Sequence, residues 1–418
     1  MNGGCFADLP DLDPTCDAVR DNRTRRSRRL TEPGTARKAA ALGRFHARLA
    51  ALCGEARPRA VSAALVAGDA IVDRWAAGRI GDAPESARVD ADSRFLVASL
   101  SKPVTAAAFM RLVEDGEIAL ATPVSRVLPQ FSGGGRDAIQ VWHLLTHTSG
   151  LPDMVAENLP LRERQAGLPD FLECVCRAPL LFAPGEAASY QSMGSLLLAA
   201  IVERIAGEPF RRFVAREILT PAGMANSALG VADFSVQAPY VQVELPDGQH
   251  DVDWHWNSRY WRTLGAPWGG LVTTAADLAA FLCLFLNEGR APGGRRVLSP
   301  ATVAAMCRDQ TGNRAAGLPA LGLGWLLRGE PGSSSEAAPR GRPGGDPTLV
   351  STATDYVFDR AFFGDLMSSV AIGHTGATGC VMWADPRLGV AGVVLTSSPA
   401  VLTNGALPLL ANLVAAQR

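Results

Sequence analysis

Apolar and polar positions change their period twice along the chain. Between residues 36 and 55, apolar side chains recur at Ala40, Leu42, Phe45, Leu49 and Leu52, the spacing of one helix face. Residues 61–67 and 71–77 are β-rich runs separated by Gly68-Asp69, a hairpin signal. A short apolar run at 95–98 predicts a buried strand, and an alanine-rich helix opens at Ser99 and runs to Glu114. Asp115-Gly116 closes it with a glycine cap.

From there to about residue 270 the pattern is helical with long loops. Helices are predicted from Val141, over 193–206 with an end at Gly207, and over 210–218. Thr274, with an acidic residue three positions on at Asp277, reads as the cap of a helix reaching Asn287. Strand patterns return at 323–327, 380–383 and 390–396, and a closing helix is expected over 408–417 with Pro408 in its first turn. The order strands, helices, strands predicts an α+β or α/β fold whose sheet is assembled from both chain ends around a helical insertion. The expected units are a leader over 1–35, a sheet domain from 36–115 and 271–418, and a mainly helical domain over 116–270. Residues 331–347 are rich in Gly, Ser, Pro and Arg. With 356–369 they form a long excursion, either a lid or ornament, and the sequence leaves both open.

Composition narrows the classes. The chain has 418 residues and a formal net charge of −1, with one arginine-rich patch at 23–29 inside the leader, which excludes nucleic acid as a favoured partner. No apolar run is long enough for a bilayer, and residues 1–13 are acidic without a signal pattern, so a cytoplasmic protein with no membrane partner is expected. The eight cysteines are scattered without a C-x-x-C pair, which predicts reduced thiols and no metal site. No phosphate-cradling or dinucleotide glycine motif occurs, and no cofactor is expected.

Candidate chemistry sits at the strand-to-helix junction. Ser99-Leu100-Ser101-Lys102 places an amine one turn from a hydroxyl, which is what activating a serine without histidine requires. Lys102 is one of two lysines in a chain that otherwise uses arginine. Arginine cannot lose its proton, whereas a buried lysine can. No Gly-x-Ser-x-Gly elbow is present. Further segments of interest are Tyr190-Gln191-Ser192 before a helix, the turn-ended helix carrying His147, and residues 373–379 with three glycines in seven. Ser101 is read as a support. Trp254, Trp256, Trp261 and Trp268 either wall an acyl pocket or pack a loop, and the sequence leaves both open.

From about residue 61 onwards, the ordered motifs Ser99-x-x-Lys102, Tyr190-Gln191-Ser192 and His374-Thr375-Gly376 resemble those of class C β-lactamase-like serine hydrolases, which include family VIII carboxylesterases, DD-peptidases and acyltransferases. The segment around His147 and residues 269–274 look like further landmarks. The resemblance implies a serine β-lactamase-like antiparallel sheet flanked by helices. It implies Ser99 as nucleophile, with Lys102 and Tyr190 sharing its proton, at least one of them titrating well below its usual value. For the lysine, a drop of ~3 pH units costs about 4 kcal/mol and calls for burial and a neighbouring positive charge. It further implies an oxyanion hole from the backbone N–H groups of Ser99 and Ala377, substrate contacts at Ser192, Thr375, Gly376 and Trp268, and a charged or polar His374 that holds Tyr190 as a phenolate or touches substrate. His147 is expected to be structural.

Two departures bear on substrate. The family's Tyr-x-Asn becomes Tyr190-x-Ser192, and its Lys-Thr-Gly becomes His374-Thr375-Gly376. Both changes weaken recognition of a penicillin-like ligand. The expected substrate is therefore a small-molecule ester or amide, with an ester preferred, cleaved by hydrolysis or by transfer to a second acyl acceptor. β-Lactamase or D-amino-acid peptidase activity is the alternative, and a penicillin-recognising sensor a more distant one.

Overall fold

The structure, a computed structural model, describes residues 33–55, 58–231, 240–245, 248–311, 320–330 and 360–417. A single antiparallel six-stranded sheet forms its centre. Its strands are β1 (Ala60–Ala67), β2 (Ala70–Gly78), β6 (Leu326–Leu327), β7 (Ile372–Gly376), β8 (Cys380–Asp385) and β9 (Val390–Thr396), in the order β2-β1-β9-β8-β7-β6. β1 pairs with β9 from Val61↔Thr396 to Ala67↔Val390, so the two ends of the chain meet in the middle of the sheet. The expected hairpin closes at Ala67↔Ala70, with a register shift between Leu65 and Val66 that adds local twist.

Strand alternation divides the core into two layers. Val61, Ala63 and Leu65 of β1, with Val390 and Val394 of β9, face a cluster holding Phe45 and Leu49 of the Pro33–Glu55 helix and Leu410 and Val414 of the Ala406–Ala415 helix. The neighbouring positions Ala60, Ala64 and Val66, with Ala391, Val393 and Leu395, face a larger cluster that takes in Phe281 and Phe285 of the Ala275–Leu286 helix and the helical middle of the chain. The central strands are therefore buried on both faces, which explains why they read as continuous apolar runs.

Several boundaries differ from expectation. The N-terminal helix starts at Pro33, inside the expected leader, with its proline where no N–H is needed. The 95–98 strand shrinks to β3 (Phe95–Leu96), which joins β4 (Ala228–Leu229) and β5 (Leu271–Thr273) in a small second sheet ordered β3-β5-β4. The 323–327 strand is only Leu326–Leu327. The final helix begins two residues before Pro408 and ends at Ala415. In the excursion, residues 331–359 lie outside the described residues. Its last part packs into the first layer, with Phe362 and Phe363 buried and Trp383 Nε1 donating to the Phe362 carbonyl at 2.7 Å. No described helix is long and apolar enough to cross a membrane.

Candidate active site

After β3 the backbone leaves the strand abruptly. Val97 N–H donates to the Leu271 carbonyl at 3.1 Å, and Ala98 takes the left-handed conformation at φ 46. A non-glycine residue rarely adopts that conformation. Residues Ala98–Leu100 form a 3₁₀ turn and the α-helix starts at Ser101, so Ser99 stands on the turn rather than in the helix. Ser101 braces that turn. Its hydroxyl donates to the Ala98 carbonyl at 2.6 Å and accepts from Leu271 N–H at 3.0 Å, the supporting role expected of it.

Lys102 lies one turn on, and its Nζ donates to Ser99 Oγ at 2.9 Å and to the Trp268 carbonyl at 3.1 Å. Thr105 Oγ1 donates to the Pro267 carbonyl at 2.7 Å, which fixes that loop against the helix. Lys102 is 3% exposed. Burial lowers its pKa from 10.5 to about 7, against an opposing pull from Asp153. The expected neighbouring cation does not contribute: desolvation alone brings the amine into the range of a working base.

Tyr190 lies against the same group. Its ring centroid is 4.5 Å from Lys102 Nζ, and the Ser99 side chain is within hydrogen-bonding reach of its hydroxyl. Burial pushes the phenol well above 10, a trend the Ser99 hydrogen bond opposes and Asp153 reinforces. The expectation of a phenolate is thus corrected: Tyr190 is a neutral phenol at neutral pH. His374 is corrected with it. It is 1% exposed, and burial first, then Lys102, lowers its pKa to about 3 despite the hydrogen bond to the Thr375 carbonyl. Its Nδ1 donates to that carbonyl at 2.7 Å, and its ring centroid is 6.0 Å from that of Tyr190. A neutral imidazole supplies no charge to hold a phenolate.

Two further residues shape the site. His147, in the left-handed region at φ 57, sits 4.8 Å from the Tyr190 ring between centroids, and its Nδ1 accepts from Gln191 N–H at 3.2 Å. Burial, then Lys102 and His374, keep it neutral. It positions the tyrosine segment, as expected of a structural residue. Asp153 escaped the sequence analysis. Its carboxylate accepts from Ser192 N–H at 2.8 Å, and its charge acts on Lys102, Tyr190 and Arg162. A lone Asp in a loop carries no sequence signal, because only the fold brings residue 153 beside residues 102 and 192.

The β7–β8 turn closes the other side. A Cβ on Gly376 would overlap the Val97 carbonyl oxygen, so only glycine lets β7 run this close to the Ser99 turn. Thr378 Oγ1 donates to the Leu96 carbonyl at 2.8 Å. Ala377, held between these two anchors, has its backbone beside the turn that carries Ser99. Thr375 borders the same strand end. Ser192 starts the Met193–Ala206 helix without capping it through its side chain. The Trp268 ring is buried with its centroid 5.8 Å from that of Phe171, and its carbonyl accepts from Lys102 Nζ. Among the described residues, no group of three or more His, Cys, Asp or Glu is placed to hold a metal ion.

Comparison with known proteins places this geometry in context. A family model described as Beta-lactamase matches residues 44–415. Esterase EstB of Burkholderia gladioli is 32% identical over 269 residues, which cover 56% of this chain and 65% of that protein. Protein Rv1367c of Mycobacterium tuberculosis is 30% identical over 253 residues, covering 52% of this chain and 60% of that protein. The chain thus spans less than two thirds of the length of these curated relatives. Among solved structures, EstCE1, described as a hydrolase with promiscuous acyltransferase activity, superposes with a TM-score of 0.68 at 20% identity, covering 90% of this chain and 99% of that one.

Proposed function

The chain belongs to the Beta-lactamase family, and on that footing we propose that it is a serine hydrolase which takes an acyl group from an ester onto Ser99 and delivers it to water or to a second acceptor. The observation that carries this is the 2.9 Å contact between Ser99 Oγ and a buried Lys102 whose pKa is lowered to about 7. In its neutral form Lys102 accepts the Ser99 proton as Oγ attacks the ester carbonyl. The backbone N–H groups of Ser99 and Ala377 receive the developing oxyanion. As the C–O bond breaks, the proton passes from Lys102 to the leaving alkoxide, with the neutral Tyr190 phenol as the relay. Deacylation repeats these steps with water or an alcohol as the attacking group, and Lys102 again takes the proton.

An ester is favoured over a β-lactam for two reasons. Ser192 lacks the side-chain amide that would hold an amide-bearing substrate. The neutral His374 offers no cation for a substrate carboxylate at that strand. The names of EstB and EstCE1 agree with an esterase or acyltransferase.

The test pairs a short-chain nitrophenyl ester with a chromogenic cephalosporin. Turnover of the ester is expected, with a transient acyl adduct on Ser99 by intact-protein mass spectrometry and none on Ser99→Ala. Lys102→Arg keeps the charge but cannot shed it, and kcat/KM is expected to fall by about 10²–10⁴. Faster turnover of the cephalosporin than of any ester, or full activity in Ser99→Ala, overturns the proposal.

A further inference from the structure

Near the Ser99 turn lies a buried cluster rich in donors. Arg162, on the short Asn158–Glu163 helix, is 8% exposed, and among the described residues it forms no ion pair. Its Nε donates to Asn158 Oδ1 at 3.0 Å. Its guanidinium lies 4.4 Å from the ring centroid of Trp261 and 5.9 Å from that of Trp254. Asn158 Nδ2 and Trp261 Nε1 are both buried without a protein acceptor. The acidic groups that act on Arg162 are already engaged. Tyr260 donates its hydroxyl proton to the Ala166 carbonyl, and the Asp153 carboxylate holds Ser192 N–H. Burial lowers Arg162 only to about 10, so it stays cationic at neutral pH. A buried cation and two buried N–H groups short of acceptors are costly unless a ligand completes them.

The position of the cluster says which ligand group would reach it. Gly269 stands between the nucleophile turn and Trp261: a Cβ built there would lie 3.9 Å from the Ala98 backbone and 4.0 Å from Trp261 Cζ2. Gly269 thus lies in contact distance of both the turn that carries Ser99 and the indole, which puts Trp261 within reach of a short acyl chain on Ser99. We propose that Arg162, Asn158 and Trp261 form a carboxylate-binding acyl subsite, so that the preferred acyl group is a short chain ending in a carboxylate. This rests on the acyl-Ser99 reading above and names its substrate class. Planar guanidinium and carboxylate groups match in shape, and stacking on indole leaves the in-plane N–H groups free to bind. A site of buried donors rejects a chain that lacks the matching acceptor far more strongly than an apolar pocket rejects a wrong length.

The test compares the nitrophenyl half-ester of glutaric acid with nitrophenyl valerate, which has the same five-carbon chain ending in a methyl group in place of the carboxylate. The wild-type protein is expected to prefer the half-ester in kcat/KM. Arg162→Met is expected to reduce that preference ratio by about 10- to 100-fold, and Arg162→Lys by less. Trp261→Phe removes one N–H while keeping the ring, and it is expected to lower the ratio severalfold even if Arg162→Met does not fold. A wild-type preference for valerate, or an unchanged ratio in the folded variants, overturns the subsite. If neither ester acylates Ser99, the hydrolase reading fails by itself. The subsite is then decided by calorimetric titration with glutarate: binding that weakens in Trp261→Phe supports it, and no binding overturns it.

Discussion

Lys102 concentrates the residue-scale argument. Its folded pKa of about 7 lies below the 10.5 of an exposed lysine. Between those values the unfolded chain holds a proton that the folded chain has released, so stability rises with pH across that window. Below pH 7 both states are charged and the full cost applies, on the order of 5 kcal/mol. Lys102→Met is therefore expected to raise the unfolding free energy most at pH 6 and least at pH 10, as read by denaturant titration. An equal gain at both pH values would contradict a buried, titrating amine. The same pKa sets the activity profile. In the proposed mechanism only neutral Lys102 accepts the serine proton, so kcat/KM is expected to fall about tenfold per pH unit below pH 7. Asp153 raises that pKa, so Asp153→Asn is expected to move the acid limb to lower pH. In His374→Gln the limb should stay in place, since the imidazole carries no charge there. A shift in the His374 variant comparable to that in the Asp153 variant would show that the histidine is charged after all.

At the scale of elements, the site depends on strands and turns that touch only because particular residues are small. β7 passes against Val97 because residue 376 has no Cβ, and Gly379 at φ 90 turns the chain back into β8. Gly376→Ala is expected to push β7 away from the nucleophile turn and loosen the Ala377 backbone. A stability loss of about 2–4 kcal/mol should accompany a kcat/KM loss of at least ~10²-fold. Thermal melts and ester kinetics on one preparation check both, and normal acylation in that variant would rule Ala377 out of the proposed oxyanion hole. Element prediction succeeded where local chemistry is decisive. The Met193–Ala206 helix has its expected bounds because an apolar stretch with strong helix formers ends at Gly207, which adopts φ 69. The Ala275–Leu286 helix has its expected Thr274 cap, with Asp277 N–H donating to the Thr274 hydroxyl at 3.1 Å. A two-residue strand such as β4 carries no periodic signal, since a pairing partner far along the chain creates it, and the same brevity is why the 323–327 pattern overran β6.

Across the whole molecule, β1 and β9 are joined along their length although more than three hundred residues separate them. The central strands are covered by helices on both faces, whereas β2 and β6 form the sheet edges. Amides of β1, β8 and β9 are therefore expected to exchange with solvent only on global unfolding. The β6 amides should exchange orders of magnitude faster, through local opening. Hydrogen exchange read by mass spectrometry tests this, and equal protection of β6 and β9 would contradict an edge position for β6. The Ser99 turn belongs to the stable part, because Thr378 ties the residues before it to the β7–β8 turn and Leu271 ties them to the second sheet. Such anchoring is what a preorganised oxyanion site needs.

Sequence by itself determined the family, the order of strands and helices, the serine, lysine and tyrosine to examine, and the substitutions at Ser192 and His374. These are legible because motif spacing, helix caps and strand alternation act over a few residues. The charge states of Lys102, Tyr190 and His374 were decided only by tertiary structure, as were the placement of Asp153, the packing of Trp268 and the buried cluster around Arg162. Burial and through-space charge depend on which distant segments pack together, and no local pattern encodes that.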